Sequence, residues 1–161
     1  MFLVLTLVVA HFAARAMGQP DELLTNKSGL ASMVDNDAAA VGVRLVLFAS
    51  FPLIFSVLLL LAKRRTLKRA SLQPPFYAQC YPAAAFAAVL GVAAQISILK
   101  IGPDGLGGLV MLGCVLWLGT VEALWFRREQ KLGRVAAVGL ATIGMVVGIA
   151  ITAGAALLLL R

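Results

Sequence analysis

The sequence predicts an all-α membrane protein, a polytopic helical bundle of four transmembrane helices preceded by a shorter hydrophobic segment. Three observations support this fold class. Hydrophobic residues make up 61% of the 161 residues and charged residues only 13%, which excludes a disordered chain and leaves little material for a soluble domain. Four apolar segments are each long enough to cross ~30 Å of hydrocarbon at 1.5 Å per residue. The connectors between them are alternately rich in cations and nearly without them.

The N-terminal hydrophobic segment, residues 1–17, has two interpretations. Its apolar run is short for a membrane span, and Ala14-Arg15-Ala16 has the small-x-small form of a signal-peptide cleavage site, although the usual cationic start is missing. An uncleaved segment would instead form a first membrane helix, with Arg15 reaching the outer headgroups. Both interpretations place the short acidic segment 18–40 outside the cytoplasm.

The transmembrane domain, residues 41–161, begins after Asp35-Asn36-Asp37, a sequence typical of a helix cap. Pro52 lies in the middle of the first span and predicts a kink, because proline lacks an N–H and its ring clashes with the preceding turn. A Gly-Pro connector at residues 102–105 predicts a tight turn between the second and third spans. The four predicted helices cover about 41–62, 82–101, 107–126 and 135–160.

Positive charge predicts the orientation of these helices. Nine of the fourteen Lys and Arg residues lie in two short connectors, and such loops stay in the cytoplasm. We therefore expect a multi-pass protein of a bacterial inner membrane, with both basic connectors inside and the C-terminus outside. The same cations would attract anionic lipid headgroups, and no nucleic-acid motif accompanies them, so the expected partner is the lipid bilayer and not nucleic acid. The nine cations are Lys63, Arg64, Arg65, Lys68, Arg69, Arg127, Arg128, Lys131 and Arg134.

Polar side chains at membrane depth are costly, so each is a candidate site. Glu122 lies about one turn from the inner end of the third span, and Gln95 lies in the second span. The carboxylate of Glu122 has two interpretations. In the first it forms an ion pair with Arg127, Arg128 or a cation of the other basic connector. In the second it belongs to a proton or cation relay. A relay would require a second acidic or histidine side chain at similar depth.

Small residues in the last span indicate close helix packing. Gly144 and Gly148 form a GxxxG pair, and Ala141 and Thr152 extend it into a stripe on one helix face. The stripe would pack either against the chain's own helices or against a second copy or a partner subunit.

The sequence contains no recognisable catalytic, metal-binding or cofactor-binding motif. His11 is the single histidine, and Cys80 and Cys114 lack metal-ligand spacing. We therefore expect a non-enzymatic scaffold or an accessory subunit of a membrane complex, with no metal and no cofactor. The alternative is a small homo-oligomeric transporter or channel that uses Glu122 as an intramembrane carboxylate.

Four stretches between about Leu53 and Leu157 form a recognisable pattern. They are the basic connector LLLLAKRRTLKRASL, the Tyr/Pro-containing FYAQCYPAAAF, the turn IGPDGLGG with LWLGTVEALWF, and RREQKLGR before a Gly-rich last helix. In this pattern the chain resembles the Yip family of five-span membrane proteins, especially its bacterial members. The resemblance implies a membrane organiser or trafficking-type scaffold, with small-GTPase-linked partners in eukaryotic relatives.

Overall fold

The computed structural model describes residues 1–19, 24 and 34–160, and these residues form helices joined by short connectors. In chain order the helices are α1 (Phe2–Ala16), α2 (Asp37–Ala62), α3 (Arg69–Ile98), α4 (Leu106–Gln130) and α5 (Arg134–Leu160). Helices α2 to α5 are long and apolar enough to cross a membrane, and α1 is a shorter apolar helix. The predicted fold class is confirmed. Most of the acidic segment 18–40, and Arg161 at the C-terminus, lie outside the described residues.

Helix α3 begins much earlier than the sequence predicts, at Arg69 instead of about residue 82. The predicted bound marked the beginning of the apolar span, whereas the helix also includes the residues between the basic connector and that span. In the structure Pro74, Pro75 and Pro82 lie inside α3. Pro74 is exposed near the beginning of the helix, so water or lipid headgroups can satisfy the backbone carbonyls that lose their helical partners there.

At the end of the bundle opposite the two basic connectors, the sequence indicates a helix cap and a tight turn. Asn36 caps α2, and its side-chain oxygen accepts a hydrogen bond from the Ala39 N–H at 2.8 Å. The connector between α3 and α4 turns through Gly102 and Gly105, whose φ angles of 82° and 86° lie in the left-handed region that favours glycine. The predicted cap and the predicted tight turn are both confirmed.

Helices α2 to α5 form a closed four-helix arrangement. Each packs against the next in sequence, α5 returns to pack against α2, and α1 lies against α2 and α3. Aromatic side chains fill the centre, where Phe51 lies 5.5 Å from Phe86 and Phe55 lies 6.3 Å from Phe126 between ring centroids. Because consecutive helices run in opposite directions, both basic connectors lie at one end of the bundle, called here the basic end.

Pro52 is buried inside α2, and the helix continues past it to Ala62. The Ser56 hydroxyl donates a hydrogen bond to the Pro52 carbonyl oxygen at 2.6 Å. A hydroxyl bonded to the preceding turn often bends a helix, as proline does. The kink at Pro52 stays a prediction that this contact favours.

The glycine stripe of α5 faces α2. A Cβ atom built on Gly148 would lie 2.6 Å from Phe51 Cε1, and one built on Gly144 would overlap the ring of Phe55. Thr152, at the end of the stripe, donates its hydroxyl hydrogen bond within α5, to the Gly148 carbonyl at 2.8 Å. These two glycines therefore serve packing between the chain's own helices.

Candidate functional site: a buried carboxyl group between α3 and α4

Glu122 lies in the hydrophobic core and has no exposed surface. One helical turn to either side on α4, Leu118 and Phe126 are 1% and 0% exposed. Residues four apart share a helix face, so Glu122 occupies the middle of the inward face of α4. A carboxyl group is therefore placed among aromatic and aliphatic side chains, where an unpaired polar group is costly.

The partner of this carboxyl group is Gln79 on α3. The Gln79 amide Nε2 donates a hydrogen bond to Glu122 Oε2 at 2.9 Å, and Gln79 is only 3% exposed. The other oxygen, Oε1 of Glu122, is buried without a hydrogen-bond partner among the described residues. Chemically, the site is a carboxyl group with one oxygen oriented by an amide and the second available to accept a hydrogen bond.

The ion pair expected between Glu122 and Arg127 or Arg128 is not formed. Both arginines are exposed, and Phe126 occupies the position directly below Glu122 on the inward face. At 100° per residue, positions five and six residues further along a helix point well away from the first side chain. The carboxylate that does form an ion pair at the basic end is Glu129, whose Oε2 accepts from Lys63 Nζ at 2.8 Å.

Gln79 was missed by sequence reasoning because it precedes the predicted start of its span. The relevant signal is the periodicity of the segment, since Gln79, Ala83 and Phe86 are spaced at i, i+4 and i+7 and all three are buried. Read as one helix face, this pattern would have placed a polar amide in the core. Because the predicted span began at about residue 82, Gln79 was not read together with Ala83 and Phe86.

Gln95, the other candidate polar residue, lies far from Glu122. Sixteen residues separate it from Gln79 on α3, a distance of about 24 Å along the helix axis. Gln95 lines an apolar groove between α1 and α3, together with Thr6, Ala10 and Gly91. Its Oε1 atom is buried without a hydrogen-bond partner among the described residues. The structure thus does not unite the two candidates in one site.

A second polar cluster joins α1 and α2 at the end opposite the basic end. His11, only 3% exposed, lies between Asp37 and Arg44, with Nε2 at 3.1 Å from Asp37 Oδ1 and Nδ1 at 2.8 Å from an Arg44 guanidinium nitrogen. A guanidinium can only donate, so Nδ1 accepts and Nε2 carries the proton given to Asp37. Arg15 donates to both oxygens of Asp37 at 2.5 and 2.6 Å.

The nine Lys and Arg residues from which the orientation was predicted lie in and beside the two connectors at the basic end. The Lys63–Glu129 ion pair joins the end of α2 to the end of α4 and so connects the two basic segments. Within the described residues, no group of three His, Cys, Asp or Glu side chains could hold a metal ion.

Comparison of the chain with models of protein families, with curated proteins and with solved structures finds no match.

Proposed function

We propose that this chain is a non-enzymatic scaffold or accessory subunit that binds a transmembrane helix of another membrane protein. The observation that carries the proposal is the outward face of α5, defined by the exposed residues Ala136, Gly139, Ile143, Val147 and Ala150 and the half-buried Gly154. A Cβ atom on Gly139 or Gly154 would have nothing within 4 Å. Gly139 and Gly154 are therefore not required for the packing of α5 against α2, which involves Gly144 and Gly148 on another side of the same helix.

Glycine at a helix interior position costs about 1 kcal/mol relative to alanine in helix propensity. At Gly144 and Gly148 the contact with α2 offsets this cost, whereas at Gly139 no contact within the chain does so. Between membrane helices, small residues allow the backbones to approach closely, and this approach drives association where lipid removes the hydrophobic effect. The outward face of α5 thus has the composition of a helix-binding surface. The resemblance to the Yip family favours the same functional class.

The test is purification of the tagged chain from its native membrane in a gentle detergent. Mass spectrometry identifies co-purifying proteins, and native mass gives the number of copies of each. We expect a stoichiometric membrane partner that is lost from the Gly139→Leu variant. Gly113→Leu is the matched control, because Gly113 is also exposed in a span and has nothing within 4 Å of a built Cβ. Equal retention of the partner by both variants would refute the assignment to α5, and a clean homo-oligomer would favour the transport function instead.

A second candidate function, a small homo-oligomeric transporter or channel, is favoured by one observation. Glu122 is fully buried, and its Oε1 is unoccupied by any hydrogen-bond donor of the described residues. A proton or a cation could bind such an oxygen. Among the described residues, however, the group facing Glu122 is the amide of Gln79, which does not titrate.

Flux measurements separate the two functions. In reconstituted vesicles, a coupled flux that depends on Glu122 should disappear in the Glu122→Gln variant, whereas binding of a partner through α5 should survive. Flux that is unchanged in this variant would exclude the relay. Loss of partner binding in Glu122→Gln, with Gly139→Leu unaffected, would show that the binding surface lies elsewhere.

A further inference from the structure

A groove of about 570 Å³ runs along the outer surface between α4 and α5. It is called here the α4–α5 groove. Its lining includes the small residues Gly119, Ala123 and Ala141, which leave space between the two helices, and larger side chains such as Val115, Met145 and Ile149. The outward face of α5 proposed for helix binding is a different surface, since neither Gly139 nor Gly154 lines the groove.

The walls of the α4–α5 groove are apolar even at the two threonines that line it. Thr120 donates its hydroxyl hydrogen bond to the Leu116 carbonyl at 2.8 Å, and Thr142 donates to the Val138 carbonyl at 2.9 Å. Both hydroxyl groups are therefore satisfied within their own helices. An occupant of the groove would mainly contact hydrocarbon, with no requirement to supply polar groups along its length.

The α4–α5 groove carries charge where it meets the basic end of the bundle. Arg127, from the last turns of α4, and Arg134, from the first turn of α5, both line it. Both side chains are exposed, and neither forms an ion pair with a described residue. Lys63 differs from them, because Glu129 already binds its ammonium group. Two unpaired guanidinium groups from different helices suit a phosphate, which arginine binds with two parallel hydrogen bonds.

The length of the groove matches a single leaflet. Its apolar lining on α4 runs from Leu124 back to Val115, nine residues or about 14 Å along the helix. On α5 it runs from Val138 to Ile149, eleven residues or about 17 Å. One leaflet contributes about 15 Å of hydrocarbon, half of the ~30 Å membrane core. With the arginines at headgroup level, the apolar part would reach the bilayer midplane and end there. This arrangement fits one phospholipid, with its charge at one end, better than a transmembrane helix, which crosses both leaflets.

From this geometry we infer that the α4–α5 groove is a binding site for one anionic phospholipid. Its acyl chain lies along Gly119, Ala123 and Ala141, and its phosphate lies between Arg127 and Arg134. The site binds the lipid as a structural component of the bundle, sealing α4 against α5 where the small residues leave a gap.

Native mass spectrometry of the detergent-purified full chain tests the inference, with phosphatidylglycerol as the probe and phosphatidylcholine of identical acyl chains as the comparison. We expect one retained phosphatidylglycerol per chain, and weaker retention of phosphatidylcholine. The double variant Arg127→Gln/Arg134→Gln should lower the affinity for phosphatidylglycerol about tenfold, as expected for the loss of two exposed charge contacts. The matched control is Arg65→Gln/Arg69→Gln, which removes two exposed cations of the other basic connector and should leave the bound fraction unchanged.

A second variant tests the apolar part of the site. Gly119→Leu fills the groove without removing charge, and a Cβ at this position meets no atom within 4 Å, so the fold should tolerate it. This variant should lose phosphatidylglycerol while both arginines remain. Equal binding of the two lipids, or equal effects of the two arginine pairs, would overturn the proposal. So would displacement of the lipid by inorganic phosphate alone, or a protein helix in the groove that Gly119→Leu releases.

Discussion

Replacing Gln79 with leucine should destabilise the bundle, whereas replacing Gln79 and Glu122 together should not. Gln79 supplies the hydrogen bond that the structure gives to the Glu122 carboxyl group, at 2.9 Å in a site where both residues are at most 3% exposed. Gln79→Leu leaves that carboxyl group buried without a partner. Leaving a buried polar group unpaired costs about 1–3 kcal/mol. Hydrogen bonds between membrane helices contribute about 0.6 kcal/mol on average and at most about 1.7.

The expected loss in the free energy of unfolding for Gln79→Leu is therefore about 1–2 kcal/mol. Glu122→Leu alone should also destabilise, since it leaves the Gln79 amide unpaired. The double variant replaces both polar groups by hydrocarbon of similar volume, which is nearly neutral or stabilising in buried sites. The double variant should then be more stable than Gln79→Leu.

Unfolding in mixed micelles, followed by the fluorescence of Trp117 and Trp125, measures these differences. Gln95→Leu is the matched control, because it removes an amide of the same helix whose side-chain oxygen has no hydrogen-bond partner among the described residues. A cycle in which the two single losses simply add would refute the coupling of Gln79 to Glu122. A double variant that is stable but has lost a flux that the unaltered chain shows in vesicles would assign the Gln79–Glu122 pair a role in transport.

Two further predictions concern packing and orientation. Gly148→Ala should lower the free energy of unfolding by about 1–3 kcal/mol, because its Cβ would lie 2.6 Å from the Phe51 ring. Gly139→Ala should not lower it, because a Cβ there has nothing within 4 Å. Equal losses for the two variants in a micelle unfolding titration would contradict the packing of Gly148 against Phe51. Orientation is tested in a chain without the two native cysteines. Thr66→Cys should react with a membrane-impermeant maleimide only after the cytoplasmic side is opened, whereas Asp104→Cys should react in intact cells. The reverse pattern would invert the expected orientation.

The buried carboxyl site shows how far local sequence reasoning extends. That Glu122 stands at membrane depth follows from its position within an apolar run. Its partner does not, because Gln79 lies 43 residues away in sequence and belongs to another helix. Helix periodicity already turns Arg127 and Arg128 away from Glu122 and places Phe126 beside it. The tertiary structure adds that this side of α4 faces the core, where Glu122 and Phe126 are both 0% exposed. The pairing with Gln79 depends in addition on α3 continuing through its prolines.

The sequence by itself determined the number of apolar helices long enough to span a membrane, the position of both basic connectors at one end of the bundle, and the cap at Asn36. It could do so because hydropathy, charge and capping act over a few residues at a time. The tertiary structure decided which side of each helix faces its neighbours. It placed Gly144 and Gly148 against Phe55 and Phe51 and left Gly139 outward. These choices arise from contacts between residues distant in sequence, where the fit of side-chain shapes sets the rotation of each helix.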